Sequence, residues 1–187
     1  MLIERIDKIE GKRVLIAPLN WGLGHATRSS AIIFQLLKNG KEVIIGSDGI
    51  VADYYKTEFP GIKQITIPGI KVKYSAGNSQ TGAMLRQVPK FLYQIWREHR
   101  KTAEIIEKNN IDTIISDNRF GMWNRKCKSI YITHQLMIKM PKHLHWAEKI
   151  MKCFHEWFYN KYDEIWVPDN AGKENLSGDL SHKYKSP

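Results

Sequence analysis

The stretch that decides the fold is Val14-Leu-Ile-Ala-Pro-Leu-Asn-Trp-Gly-Leu-Gly-His-Ala-Thr-Arg28. An apolar run without polar alternation leads into a glycine-containing turn, and a helical pattern follows from Ala31 to Leu37. A buried strand, a tight turn and a helix in this order open a βαβ unit. Ligands of open α/β sheets bind outside the carboxyl end of such a strand, at the N-terminus of the helix. The pattern therefore predicts a ligand site at this turn.

The turn also supplies candidate side chains. Gly22 and Gly24 would let the backbone approach a ligand closely, because neither carries a Cβ atom. His25 is expected near the first helical turn and directed into the crevice, and Arg28, on the same side, suits a phosphate. The substrate-binding residues predicted in this stretch are Asn20, Trp21, Gly22, Gly24 and Arg28.

Strands and helices alternate along the rest of the chain. Apolar runs predict strands at 12–18, 42–46, 62–67, 111–116, 129–133 and 164–167. Helical patterns lie at 26–38, 50–58, 82–109 (with a break or restart at Pro89) and 144–160. This alternation predicts an α/β fold, a doubly wound, mostly parallel, Rossmann-like sheet with helices on both faces and strand order 3-2-1-4-5-6. The third strand alternates partly, as an edge strand would.

The predicted strand order brings two polar side chains to the same crevice. The switch point falls between strands one and four, which carry His25 and Asp117 at their carboxyl ends. A neutral imidazole can accept a proton from a hydroxyl, and an acid at its other nitrogen can hold it and stabilise the charge that forms. His25 and Asp117 are therefore the candidate catalytic pair. The pattern equally allows His25 to cap its turn and Asp117 to cap its own loop.

Three more site residues are predicted after neighbouring strands. Arg119 lies in the loop after the fourth strand, and His134 and Gln135 follow the fifth. His134 and Gln135 could bond a sugar or a diphosphate, or could cap their loop. We predict all three as substrate-binding residues and leave the capping interpretation of the last two open.

No cofactor is predicted. The segment Gly22–Thr27 half-matches the dinucleotide fingerprint, but Thr27 stands where the third glycine would be. Asp48 lies after the second strand, near the place of a ribose-binding acid, so NAD stays an alternative. The Walker pattern fails because Ala83-Met84 follows Gly77-Asn-Ser-Gln-Thr-Gly82.

No metal site is predicted either. The candidate ligands for zinc are His143, His145, Cys153 and His155. His143 and His145 are two residues apart and would diverge on a helix, and no turn lies between the pairs to fold them together.

The composition indicates an anionic partner. The 187 residues include 29 Lys and Arg against 19 Asp and Glu, a formal net charge of +10. Nucleotide phosphates, nucleic acid or a membrane surface would suit that charge, and a merely basic surface is the alternative. Two cysteines make no disulfide framework, and the sequence has neither a signal-peptide core nor an apolar run of membrane-spanning length. We therefore predict a cytoplasmic location, with peripheral membrane contact left open.

Two basic stretches with interleaved aromatics, 86–101 and 139–161, raise the membrane question. Trp96, Trp146 and Trp157 could lie at an anionic membrane interface. The interpretation favoured by the pattern places the aromatics in the core and the lysines in solvent. Nucleic acid is not predicted as a partner, because the aromatics lie on helices and no RNA or DNA module signature is present.

The composition changes after Pro168. Residues 169–187 are polar and punctuated by Gly, Ser and Pro. The predicted organisation is a Rossmann-like domain at 1–168 followed by a linker or tail at 169–187.

Three stretches resemble the N-terminal half of a GT-B glycosyltransferase, and most closely family 28 and its relative, the N-acetylglucosaminyltransferase that completes the lipid-linked peptidoglycan precursor. Asn20-Trp-Gly-Leu-Gly-His-Ala-Thr-Arg28 is similar to the Gly-rich loop after the first strand of that family. Ile115-Ser-Asp-Asn-Arg-Phe-Gly121 and Tyr131-Ile-Thr-His-Gln135 resemble the stretches after its fourth and fifth strands. Trp21 replaces a small residue of the lipid-precursor enzyme, so the acceptor specificity of that enzyme is not carried over. The resemblance spans about residues 12–168.

The resemblance implies one half of a hexosyl-transferring enzyme. This half would bind the acceptor, and a C-terminal half, expected beyond Pro187, would bind the nucleotide-sugar donor. His25 would be the general base, Asp117 its partner, and Gly22 and Gly24 would lie near the acceptor or the donor diphosphate, with no metal in the chemistry. The implied partners are a nucleotide sugar and an acceptor glycan or glycolipid, and the chain alone is expected to catalyse little. Alternatives of the same architecture are a nucleotide-sugar epimerase and a non-catalytic module that binds a nucleotide or a membrane.

Overall fold

Six strands form one parallel sheet in the computed structural model, which describes residues 2–69, 80–133 and 153–168. The strands are β1 (Arg13–Pro18), β2 (Glu42–Ser47), β3 (Lys63–Thr66), β4 (Thr113–Asp117), β5 (Lys128–Ile132) and β6 (Glu164–Trp166). All five strand pairings are parallel, and the order β3-β2-β1-β4-β5-β6 confirms the predicted doubly wound fold. β3 lies at one edge, as predicted, and the switch point lies between β1 and β4.

Helices cover both faces of this sheet. Within the described ranges they are α1 (Leu2–Asp7), α2 (Leu23–Lys38), α3 (Gly49–Glu58), α4 (Gln80–Asn109) and α5, residues 153–159. Val14 and Ile16 of β1 pack among apolar residues of α1, α2 and α3, whereas Leu15 and Ala17 pack with the end of α4. Burial on both faces explains why the β1 sequence is apolar without alternation.

The turn between β1 and α2 is tighter than predicted. α2 begins at Leu23 rather than at residue 26, and Gly22 is its N-cap with φ 104° and ψ 171°. This backbone region is open essentially only to glycine. The early start places His25 inside the first helical turn. The predicted C-terminus of α2 is confirmed, because Asn39 is the C-cap and Gly40 has φ 72°.

The predicted break at Pro89 is wrong. α4 runs as one helix of 30 residues with Pro89 inside it. Proline removes one backbone hydrogen bond and crowds the preceding turn. In so long a helix, the other turns keep their bonds on both sides of that defect.

α4 is longer than the sheet is deep. At the amino edge, Asn109 accepts hydrogen bonds from Arg13 and Lys63, the first residues of β1 and β3. At the carboxyl edge, Glu98 accepts a hydrogen bond from the backbone of Gly121, beyond β4. Eleven residues of α helix, about 17 Å, therefore span the sheet, and residues 80–97, about 27 Å long, extend past its carboxyl edge.

Some predictions concern other parts of the chain. The segment 134–152 and the predicted linker at 169–187 lie outside the described residues. Within the described ranges, no helix combines the length and the apolar character needed to cross a membrane.

The start of β4 offers a test of the fold through pH. Asp112 Oδ2 accepts hydrogen bonds from the backbone N–H groups of Arg13, at 2.8 Å, and Lys12, at 2.7 Å, and these bonds hold the pKa of Asp112 below its ordinary value. A lowered pKa contributes stability above the unfolded-state pKa, and that contribution is lost as the pH falls through the folded-state value. In Asp112→Asn the acceptor oxygen stays and the charge goes. We expect the difference in free energy of unfolding between wild type and this variant to be largest near neutral pH and to vanish in acid, measured by urea denaturation.

Asp53→Asn is the matched control for this experiment, because Asp53 is exposed and its carboxylate forms a surface ion pair with Lys56 within α3. It should leave the acid dependence unchanged. A stability difference for Asp112→Asn that is the same at all pH values would contradict the assignment.

Candidate active site

The centre of the crevice is the buried carboxylate of Asp117, the last residue of β4. Its side chain has no solvent exposure. Its main-chain oxygen accepts a hydrogen bond from Leu19 N at 3.0 Å, which fixes the ends of β1 and β4 side by side. The carboxylate therefore lies at the switch point, next to the turn that begins α2.

His25 is held by this carboxylate, as the strand order predicts. His25 Nδ1 lies 3.0 Å from Asp117 Oδ1. An ionised carboxylate offers only acceptors, so this contact assigns a proton to Nδ1, and in the neutral imidazole the lone pair is then on Nε2. Arg28 Nη2 also lies 3.1 Å from Nδ1, but two donors cannot bond each other, so it donates to Asp117 instead. In this tautomer His25 presents a basic nitrogen.

The guanidinium of Arg28 forms an ion pair with Asp117. Its Nε donates to Asp117 Oδ2 at 3.2 Å, and its Nη2 donates to Oδ1 in a short contact. Such a two-point bond fits the planar guanidinium to the carboxylate and neutralises its charge. Arg28 is thus a partner of Asp117, and its side chain is partly exposed, so direct binding of substrate by Arg28 stays a prediction.

The first turn of α2 is tied to its surroundings by hydroxyl groups. Ser29 Oγ donates to Asp117 Oδ2 at 3.3 Å. Ser30 Oγ and Tyr55 Oη both donate to the carbonyl of Ala26, each at 3.0 Å. Burial raises the pKa of Tyr55, so its hydroxyl stays protonated and able to donate. These bonds fix the position from which His25 projects.

The residue after Asp117 reverses the chain. Asn118 has φ 56°, a left-handed conformation that asparagine tolerates better than most residues. Its N–H donates to Ile132 O at 3.1 Å, which joins the turn to β5. The reversal lets Asp117 face α2 while Arg119 turns towards α4.

Arg119 is buried, which corrects the prediction that it binds substrate. Its exposure is 1%, and its Nε donates to Glu98 Oε1 at 2.6 Å. The guanidinium also donates to three carbonyl oxygens, those of Pro18, Ile67 and Pro68. These carbonyls lie at or just beyond the ends of β1 and β3. Arg119 thus holds the carboxyl edge of the sheet together.

The remaining predicted residues of the first turn lie at the crevice rim. Trp21 is 49% exposed, and Asn20 packs against the backbone of Gly49 and Gly69. A Cβ atom at Gly22 or Gly24 would meet no atom of the described residues within 4 Å, so there is open space beside both glycines. The space is compatible with the predicted approach of a ligand to this backbone, which stays a prediction.

Two groups of candidates fall partly or wholly beyond the described ranges. His134 and Gln135 lie outside them, as do His143 and His145. Of the other two zinc candidates, Cys153 is exposed and His155 is buried with Nδ1 3.2 Å from the hydroxyl of Tyr159. The described part of the chain contains no group of three or more His, Cys, Asp or Glu side chains placed to hold a metal ion.

Several aromatic side chains expected in the core are exposed. Trp96 and Trp157 are 51% and 56% exposed, and Trp96 stacks with Tyr93 beneath the guanidinium of Arg100. Leu92 and Val88, one and two turns before Trp96, are exposed on the same side of α4. This α4 stripe, Val88, Leu92, Tyr93 and Trp96, lies on the part of the helix that extends past the sheet.

Two residues of the site have no signal in the sequence pattern. Glu98 is surrounded in the sequence by charged residues, a pattern that predicts a solvent-exposed helix face. The sequence around Ser29 predicts an ordinary helical serine. Both are buried and bond the functional turn only because β4 is brought between α2 and α4. Their roles follow from contacts that are distant in sequence.

The buried ion pair between Arg119 and Glu98 predicts that substitution of Arg119 has a large effect on stability. We expect Arg119→Ala to lower the free energy of unfolding by about 3–5 kcal/mol, because it leaves Glu98 buried without its cation. Lys101→Ala on the same helix removes an exposed pair with Glu104 and should change stability by about 1 kcal/mol or less. Urea denaturation measures both. Equal, small effects in the two variants would contradict the structural role of Arg119.

The sequence is similar to that of a known enzyme class. No family model matches the chain. It is 25% identical over 166 residues to an uncharacterized glycosyltransferase of Methanosarcina acetivorans, across 84% of this chain and 42% of that protein. The chain thus spans about two-fifths of the length of this curated relative.

The fold is similar to that of solved glycosyltransferase structures. MurG of Acinetobacter baumannii matches with a TM-score of 0.50 and 10% identity, over 83% of this chain and 40% of that one. A glycosyltransferase of Rickettsia africae matches with a TM-score of 0.48 and 17% identity, over 85% of this chain and 43% of that one. At such identities the likeness concerns the fold alone. The chain is therefore a Rossmann-like domain whose sequence is similar to part of a glycosyltransferase.

Proposed function

We propose that this chain is the acceptor-side domain of a GT-B glycosyltransferase that moves a sugar from a nucleotide-sugar donor to an acceptor hydroxyl. The observation that carries the proposal is the His25–Asp117 pair, with its 3.0 Å contact at the switch point of the sheet. The sequence likeness to a glycosyltransferase supports the reaction class. The donor would be bound mainly by a further domain of the longer protein.

The proposed reaction is a single displacement at the anomeric carbon. The acceptor hydroxyl gives its proton to His25 Nε2 as its oxygen forms a bond to that carbon. The bond from the carbon to the nucleoside diphosphate breaks, and the diphosphate leaves with the electron pair. Asp117 holds Nδ1–H and stabilises the imidazolium that forms, as the acid of a catalytic triad does. Attack from the face opposite the leaving group inverts the anomeric configuration.

Other side chains are proposed to bind the reactants. Asn20, Trp21 and the backbone of Gly22 and Gly24 would contact the acceptor, a glycan or a glycolipid. His134 and Gln135 would bond a sugar or the diphosphate, as the resemblance to family 28 implies. The reaction as proposed uses no metal and no bound cofactor from this domain.

The test of the base is His25→Gln in the full-length protein. Glutamine can keep a hydrogen bond to Asp117 but cannot take up the acceptor proton, so we expect kcat to fall about 10²–10⁴-fold with KM little changed. Transfer from a panel of nucleotide sugars, followed by product analysis, measures the effect. His99→Gln is the control, because His99 stacks on Trp123 and belongs to α4.

Two outcomes would count against the proposal. Undiminished turnover by a folded His25→Gln enzyme would remove His25 from the role of base. An epimerised nucleotide sugar with no transferred sugar would replace the transferase by an epimerase of the same architecture.

We also propose that the α4 stripe rests on an anionic membrane. It combines exposed apolar and aromatic side chains with Arg100, which lies 5.0 Å from the Trp96 ring centroid. Aromatic rings among basic residues suit the headgroup region of such a membrane. A location at the cytoplasmic membrane face would bring the domain to a glycolipid acceptor.

Co-sedimentation with phosphatidylglycerol and phosphatidylcholine vesicles tests this contact. We expect binding to the anionic vesicles alone, weakened about fivefold by Arg100→Ala, since one basic residue near the surface contributes about 1 kcal/mol. Phe34→Ala, an exposed aromatic residue of α2, should bind like wild type. Equal binding of all variants would reject the α4 stripe as the contact surface. Absence of binding by wild type would reject contact with the membrane altogether.

A further inference from the structure

The carboxyl end of β2 holds polar oxygen atoms that the base and its partners do not use. Ser47 and Asp48 follow one another there, and Ser47 is 2% exposed. Ser47 Oγ and Asp48 Oδ1 are buried, and neither has a hydrogen-bond partner. Buried polar atoms in folded proteins nearly always have a partner, so each unsatisfied atom at a ligand-binding edge is informative. The two side chains alternate across the end of the strand, and Asp48 is the one beside Gly69 and Asn20.

Asp48 is turned towards the crevice edge and away from its own helix. It is the N-cap of α3, yet its side chain makes no capping hydrogen bond. Instead, Oδ2 accepts a hydrogen bond from Gly69 N at 2.9 Å, just beyond β3. One carboxylate oxygen is therefore anchored, and the anchor orients the other.

Asn20 completes the cluster from the β1 side. A Cβ atom at Gly49, which has φ 55°, would collide with the Asn20 amide nitrogen. A Cβ atom at Gly69 would lie 3.2 Å from Asp48 Oδ1 and 3.8 Å from Asn20 Cβ. Because the two glycines have no Cβ atom, the side chains of Asn20 and Asp48 can both lie beside Gly69, where β1, β2 and β3 end.

The rim of this cluster is apolar. Trp21 and Leu23 follow Asn20, and Ile50 follows Gly49 at the start of α3. All three are exposed, with Ile50 at 59%. Polar atoms at the base and an aromatic ring at the rim match a sugar ring, which presents hydroxyl groups at its edge and C–H groups on its faces.

The chemistry of the polar atoms limits the chemical class of ligand that can bind here. An ionised carboxylate offers only acceptors, so the ligand must donate hydrogen bonds. A phosphate is excluded at this point by repulsion between like charges, despite the basic charge of the chain. We propose that Asp48, with Asn20, is a hydroxyl-binding subsite for a carbohydrate ring, with Trp21 against the face of the ring.

This inference rests on the proposed function for the origin of the ring. Neighbouring hydroxyl groups occur in an acceptor sugar and in the ribose of a nucleotide, and the subsite would bind either by the same bonds. The acceptor-side function assigns it to the acceptor sugar, and the two sources can be distinguished by experiment.

The test is an NMR titration of the ¹⁵N-labelled chain with methyl glucoside, methyl N-acetylglucosaminide, uridine and NAD. The reporters are the backbone amides of Gly49 and Gly69 and the side-chain amide of Asn20. We expect the glycosides to shift all three, and Asp48→Asn to weaken this binding about tenfold or more, since a hydrogen bond to a charged group is lost. Asparagine can keep the bond from Gly69 N while replacing the second acceptor by a donor.

Two further variants complete the design. Asp53→Asn removes an exposed carboxylate of α3 and should bind the glycosides like wild type. Trp21→Ala should weaken binding without disturbing the fold, because its side chain is half exposed. The same spectra report whether each variant is folded.

The possible results separate the inference from the function on which it rests. Shifts by uridine and NAD alone, lost in Asp48→Asn, would support the hydroxyl subsite and contradict the acceptor-side assignment. Equal glycoside binding by wild type and Asp48→Asn would overturn the subsite and leave the proposed function intact. Absence of shifts at the three reporters with every probe would also overturn the subsite, while the transfer assay of His25→Gln judges the function independently.

Discussion

The buried ion pair between Arg119 and Glu98 is the interaction on which the carboxyl edge of the sheet depends. Glu98 receives Arg119 Nε with one carboxylate oxygen and Gly121 N with the other. The guanidinium reaches backbone oxygens at the ends of β1 and β3. A buried pair is weak support for net stability, because both charges lose their water. Its larger effect is geometric, since it ties α4 to the ends of β1 and β3 beneath the crevice.

The turn from Asp117 to Arg119 directs two charged side chains towards different helices. Asp117 faces α2, where it holds His25 and Arg28, and Arg119 faces α4 and the edge strand. The left-handed conformation of Asn118 makes that division possible. Two charged residues separated only by Asn118 thus bond opposite sides of the crevice, Asp117 the α2 side and Arg119 the α4 side.

The fold could be predicted because its signals are local. Apolar runs the length of strands, the Asn39-Gly40 helix end and regular alternation lead to the strand order, and that order alone brings His25 to Asp117. The partners of a buried charge are not local. Nothing near Arg28 or Arg119 indicates that each guanidinium bonds a carboxylate at least 20 residues away. For this reason the contact between His25 and Asp117 could be predicted from the pattern, whereas the buried positions of Glu98 and Ser29 and the partners of both arginines required the structure.

Glu98 divides α4 into two arms, an inner arm that lies on the sheet and an outer arm that extends beyond it. The inner arm, about 17 Å long, ends at Asn109, which holds the first residues of β1 and β3. The outer arm, about 27 Å long, lies beyond the sheet and carries the exposed α4 stripe. Glu98, where the two arms meet, is the residue through which α4 contacts Arg119. One continuous helix thus carries the exposed α4 stripe and the side chains that hold the strand ends beneath the crevice.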